Sequence, residues 1–91
     1  MSEEEGHLID YYGTECVHCH TMDPLVERLE NELEVKVVKR EVWHNEANQK
    51  EFMEVAEGKC RGVPFFFNKK TGKFICGATS YEKLKEWAQG E

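Results

Sequence analysis

The sequence predicts an α/β fold: a three-layer sandwich with a four-stranded mixed sheet, helices on both faces, and the order β-α-β-α-β-β-α. Three observations carry this. Short apolar, β-branched and aromatic runs alternate with stretches whose apolar residues recur at helical spacing. The first two such runs flank a helix, which demands a parallel, right-handed crossover, whereas the last two are joined by a turn that only a hairpin accommodates. Finally, 91 residues with no repeat, low-complexity stretch or linker make one domain over residues 1–91, its first six residues reading as a flexible tail.

The elements follow in order. His7-Leu8-Ile9-Asp10-Tyr11-Tyr12, closed by Gly13, is a buried strand with one carboxylate set into it. From Val17 to about Glu34, the residues Met22, Leu25, Val26, Leu29 and Leu33 make one face of an amphipathic helix that Pro24 is expected to kink. Val35 to Trp43 sets valines among Lys and Arg as a second strand. Asn45 caps a helix over roughly 46–57, with Phe52, Met53, Val55 and Ala56 inward and Gly58 as its stop. A third strand runs from Val63 to Phe67 with Pro64 at its start, and Asn68 to Gly72 turns the chain into a fourth, Lys73 to Cys76. Ser80 caps the last helix, Tyr81 to about Gln89, whose inner face is Leu84, Trp87 and Ala88.

Composition narrows the function classes. A net charge of −6 argues against nucleic-acid backbones and anionic membranes as partners. No apolar run approaches the ~20 residues that span a bilayer. The start Met1-Ser2-Glu3-Glu4-Glu5 is acidic where a secretory leader is basic and then apolar, so a cytoplasmic location is expected.

The chemistry lies in the cysteines at 16, 19, 60 and 76. Four cysteines permit three pairings in a secreted domain, whereas a reducing cytosol would keep them as thiols. Cys16-Val17-His18-Cys19 holds the one pair close in sequence, where the first strand hands over to the first helix. A helix start brings two residues three apart to disulfide distance, and its free N–H groups and positive dipole end stabilise a thiolate. Cys16 is then expected to be the exposed attacking thiol, Cys19, one turn deeper, the resolving one, and His18 a further stabiliser of the Cys16 thiolate.

In this setting the chain resembles the thioredoxin-like superfamily, over roughly residues 7–89. Leu8-Ile9-Asp10-Tyr11-Tyr12 is similar to the family's central strand, whose acidic residue is buried near the second cysteine. Cys16 and Cys19 match the redox pair, Pro24 the proline of the active-site helix, and Gly77-Ala78 the small residues before the last helix. Arg61-Gly62-Val63-Pro64 resembles the loop that ends in a cis-proline beside the disulfide. The resemblance implies thiol–disulfide exchange on protein or small-molecule disulfides, with an unidentified reductant, no cofactor beyond the redox-active disulfide, no metal, and a monomer. It implies a substrate groove shaped by Val63 and Pro64, with Val17 and Cys60 beside it. Asp10, buried by its apolar neighbours, is expected to have a raised pKa and to take the Cys19 proton. The sequence also departs from the pattern. Glu15 stands where thioredoxins have Trp, Val17-His18 replaces Gly-Pro, Val63 replaces the glutaredoxin Thr, and the extra N-terminal strand and helix have no counterpart.

Other readings use the same residues. Cys16-Val17-His18-Cys19-His20 fits the C-x-x-C-H of haem attachment, but that chemistry requires export and the strand-rich remainder does not suit a small cytochrome. A non-catalytic module binding a partner, zinc or an iron–sulfur cluster has candidate ligands in Cys16, Cys19, His18, His20, His44 and Cys60, without a second closely spaced knuckle. His20 reads as an exposed polar residue, Arg40 as a solvent-exposed strand residue or a charge partner of Asp10. Cys60 reads as a half-buried loop residue or an accessory thiol, and Cys76 as core.

Overall fold

The computed structural model describes residues 7–90, so the tail expected over residues 1–6 lies outside them. Along the chain run β1 (Leu8–Tyr12), α1 (Val17–Leu33), β2 (Val38–Glu41), α2 (Glu46–Ala56), β3 (Phe65–Asn68), β4 (Phe74–Cys76) and α3 (Tyr81–Gln89). The sheet order is β2-β1-β3-β4. β1 pairs parallel with β2 and antiparallel with β3, and β3 pairs antiparallel with β4, which is the predicted mixed sheet. None of the helices among the described residues is long and apolar enough to cross a membrane.

The two-residue period of β1 makes the layers. Leu8 joins Met22, Val26, Leu29, Phe66, Leu84 and Trp87 in a buried cluster under α1 and α3. Ile9 and Tyr11 face the other way and join Val42, Phe52, Ala56 and Phe65 under α2. Asp10 therefore lies on the α1 side, opposite Phe66 in the β1–β3 register. The helices begin on side-chain caps: the Cys16 sulfur, the Asn45 amide oxygen and the Ser80 hydroxyl accept backbone N–H bonds from Cys19, Asn48 and Lys83. α1 runs through Pro24 as one helix and ends at Glu34, a left-handed residue with φ 55°.

Several expectations are corrected. β2 covers only Val38–Glu41, because β1 offers Ile9 to Tyr12 as its partners and no more. Met53, expected on the inner face of α2, is 62% exposed. β3 begins at Phe65, after the proline that has no N–H to give the ladder, and extends to Asn68. Asn68 is buried: its Oδ1 accepts from the N–H groups of Lys70 and Thr71, and its amide donates to the Trp87 carbonyl at 3.0 Å. One side chain thus shapes the hairpin turn and ties it to α3.

The cysteine assignment changes most. Cys60 is not a free accessory thiol and Cys76 is not core. The two form a disulfide with Cα atoms 5.5 Å apart, and Cys76 lies exposed on the edge strand. The hairpin explains it, because β4 lays Cys76 directly across from Phe65, five residues beyond Cys60. No cysteine is free among the described residues.

Candidate active site

Four residues separate the end of β1 from α1, and their backbone is held by a carboxylate the sequence reading did not single out. Glu41, the last residue of β2, accepts from the Thr14 N–H at 2.9 Å, the Thr14 hydroxyl at 3.0 Å, the Trp43 N–H at 3.2 Å and the His44 N–H at 2.7 Å. Partial desolvation pushes the Glu41 carboxyl up, but these donors outweigh it and hold its pKa below the usual range. The Cys16 N–H closes the turn on the Gly13 carbonyl at 3.0 Å. Trp43 lies flat against Gly13, where an added Cβ would run into the indole ring. Gly13→Ala is therefore expected to push the indole outward, red-shifting tryptophan emission and costing about 1–2 kcal/mol in chemical denaturation. Unchanged emission would mean that the ring does not rest there.

This loop delivers Cys16 as the N-cap of α1. Its sulfur accepts the Cys19 N–H at 3.1 Å, so the dithiol form has a donor already aimed at the charge of a thiolate. Cys16 and Cys19 are joined with Cα atoms 5.2 Å apart. Cys16, expected to be exposed, is only 6% exposed, because it packs as the helix cap against the Val63 carbonyl; Cys19 is 3% exposed on the inner face of α1 with Met22 and Val26, whereas Val17 between them is 74% exposed. His18 is also exposed, on the first turn, and its imidazole makes no hydrogen bond to another described residue. The Val63–Pro64 peptide is cis, and the Val63 carbonyl oxygen is 3.8 Å from the Cys16 sulfur. Beside this contact a cleft of about 290 Å³ opens between Trp43, Phe52, Met53, Gly62 and Val63.

Asp10 is 2% exposed, and its Oδ1 has no hydrogen-bond partner. Burial pushes its carboxyl up to about 7; the Lys39 ammonium works against the shift and the Asp23 carboxylate adds to it. Lys39 is its neighbour in the β1–β2 register, and Asp23 stands on α1 one turn beyond Cys19. Lys39 binds Asp23 at 3.3 Å, which in turn holds the exposed His20 at 3.1 Å. The second ring nitrogen of His20 meets the Thr14 carbonyl at 2.6 Å, and that bond first, then Asp23, raises its pKa. Arg40 is not the partner of Asp10. It faces α2 and lies 3.3 Å from Glu51, which also accepts the Tyr11 hydroxyl at 2.7 Å.

Asp10, Cys16, Cys19, Val63 and Pro64 are thus gathered at one end of the sheet, with Val17 and His18 on its rim. Cys60 lies beside it, its sulfur 3.2 Å from the Gly62 carbonyl. Lys39, Glu41 and Trp43 read in the sequence solely as strand residues, because the register that sets Lys39 beside Asp10 exists only in the paired sheet. The candidate metal ligands are dispersed: His44 bonds Glu15 at 2.8 Å, His20 bonds Asp23, and Cys60 pairs with Cys76. Among the described residues no three such side chains converge on a common point.

The comparisons agree with this geometry. Thioredoxin from Aeropyrum pernix superposes with a TM-score of 0.72 at 24% identity, over 93% of this chain and 74% of that one. The short form of thioredoxin f from spinach chloroplast gives 0.70 at 28% identity, over 96% and 79%. A glutaredoxin from Archaeoglobus fulgidus gives 0.68 at 22%, over 93% and 88%. No curated protein matches the chain. The family model for thioredoxin matches residues 1–89, and the chain belongs to the thioredoxin family.

Proposed function

We propose that this protein is a thiol–disulfide oxidoreductase that exchanges the Cys16–Cys19 pair with disulfides of protein or small-molecule substrates and is returned to the dithiol by a separate reductant. The observation that carries this is the pair itself. Both residues are buried, one sulfur capping α1 against a backbone N–H and lying 3.8 Å from the carbonyl before the cis-proline, the other on the inner face of α1 on the Asp10 side of the sheet.

In the reducing direction the Cys16 thiolate attacks one sulfur of the target disulfide, and the other target sulfur leaves as a thiolate that takes up a proton. Asp10, poised near neutrality, takes the proton of the Cys19 thiol. Cys19 then attacks the Cys16 sulfur and releases the second target thiol, leaving the disulfide described above. His18, on the exposed first turn, would help stabilise the Cys16 thiolate. Val63 and Pro64 would align an extended substrate. The exposed apolar Val17, Trp43 and Met53 around the pair favour a protein segment over a small polar disulfide. No organic cofactor enters these steps, and the same reading has the chain act as a monomer in the cytoplasm.

The test is insulin reduction with dithiothreitol as electron source, together with redox titration of the couple. Turnover above the dithiothreitol background and a single two-electron transition at Cys16–Cys19 are expected. A pair that opens and closes yet passes no electrons to insulin or a model disulfide would leave only a binding role for the fold.

A further inference from the structure

The second disulfide sits where a redox event would be felt. Cys76 is exposed on β4, the three-residue edge strand, and Cys60 is half-buried just ahead of the cis-proline segment. The bond brackets that segment. Cys76 is the register partner of Phe65, and the Gly77 N–H donates to the Pro64 carbonyl at 2.8 Å. Both cysteine pairs rest on adjacent carbonyls of one stretch of chain: the Cys60 sulfur is 3.2 Å from the Gly62 oxygen, and the Cys16 sulfur 3.8 Å from the Val63 oxygen.

The surroundings point to the reagent. A cleft of about 440 Å³ is lined by Gly58, Lys59, Cys60, Arg61 and Cys76. Its two charged side chains are both cationic, on a protein whose net charge is −6, and neither forms an ion pair among the described residues. A disulfide at the wall of a cationic cleft selects for a negatively charged attacking thiol, because field focused in a cleft raises the local concentration of the opposite charge.

We propose that Cys60–Cys76 is a second redox site, opened by low-molecular-weight thiols that carry negative charge, and that opening it releases the Gly62–Pro64 segment. The thiolate of the small thiol attacks the sulfur of the exposed residue Cys76. A bond forms between them, and Cys60 departs with the electron pair of the broken S–S bond and takes a proton from water. The Cys60 thiol then has the Gly62 carbonyl as its acceptor. A second small thiol attacks the mixed disulfide and leaves as the small-molecule disulfide, so two thiols are oxidised as one protein disulfide is reduced.

The inference is independent of the activity proposed above, and its test keeps the two apart. The full chain carrying Cys16→Ser and Cys19→Ser has only this disulfide left. Opening is followed by iodoacetamide trapping and intact mass, with glutathione as the anionic thiol and cysteamine as the cationic one, compared at equal thiolate concentration. Glutathione is expected to open the bond about tenfold faster, with the advantage shrinking in high salt and vanishing in Lys59→Gln/Arg61→Gln. Amide exchange across residues 61–66 is expected to accelerate once the bond is open. Equal rates for the two thiols, an advantage that survives the double charge removal, a bond that resists both thiols, or unchanged exchange would each overturn the proposal.

Discussion

Cys19→Ser is expected to stop exchange after one event, with the substrate left covalently attached to Cys16, whereas Cys16→Ser is expected to form no adduct. The asymmetry follows from where α1 puts the two sulfurs. Cys16 is the cap, next to exposed Val17 and against the Val63 carbonyl, and it receives the Cys19 N–H at 3.1 Å. That donor is backbone, so it survives in Cys19→Ser and continues to stabilise the attacking thiolate. Both cysteines are buried, Cys16 at 6% and Cys19 at 3%, so placement separates them: Cys16 borders the rim at Val17 and the Val63 carbonyl, whereas Cys19 sits on the inner face of the helix, where an intramolecular target reaches it. Both variants should lose steady-state insulin reduction by roughly a thousandfold or more, since the two cysteines act as a unit. Intact mass under non-reducing conditions separates them: the Cys19→Ser protein gains the mass of a substrate thiol and the Cys16→Ser protein does not. An adduct on Cys19 in the Cys16→Ser variant would reverse the assignment of nucleophile and resolving thiol.

How much of this was legible depended on whether a feature was local. The element order, the Asn45 and Ser80 caps and the redox pair are written in contiguous residues and lie within a few residues of where the sequence puts them, whereas the Cys16 cap emerges only from the folded loop. The burial of Asp10 was legible too, because a lone carboxylate in Leu8-Ile9-Asp10-Tyr11-Tyr12 has apolar neighbours on both sides. What stayed hidden depends on register. Lys39 meets Asp10, and Cys76 crosses to Phe65, only once strands are paired to a definite residue, and a shift of one would turn each to the opposite face. The Cys60–Cys76 bond is the clearest case: its partners are separated by 16 in sequence, and the hairpin that joins them sets which residue of β4 reaches the loop. Glu41 was invisible for a related reason, since a glutamate at a strand end reads as solvent-facing until the loop it gathers folds around it. Asn68 likewise read as turn polarity, although it is the buried pin of the turn.

Asp10→Asn is expected to stabilise the protein strongly at alkaline pH and hardly at all in acid. The unfolded carboxyl titrates near 3.8 and the folded one near 7, because burial disfavours the charged form. Below pH 4 both states hold the proton and the site makes no difference. Between 4 and 7 the unfolded chain gives up its proton while the native state keeps it, so the native state binds more protons and stability falls as pH rises. Above 7 the full penalty is present, on the order of 4 kcal/mol for a shift of about three pKa units. Asparagine keeps the shape and never ionises, so urea denaturation of the oxidised proteins should show the gap between variant and wild type opening from near zero at pH 4 to its full size at pH 8. A gap equal at both pH values would show that the carboxyl is not the titrating group. The size of the penalty bears on function. For a domain whose whole stability is about 5–15 kcal/mol, a buried carboxylate with an unpartnered oxygen is a heavy load for a side chain that contributes nothing to packing beyond its asparagine isostere. What the carboxylate offers and the amide does not is a proton held near neutrality beside the helix that carries Cys19. The same variant should therefore resolve mixed disulfides more slowly and lose the pH dependence near 7 from that step, gaining stability as it loses the exchange of a proton.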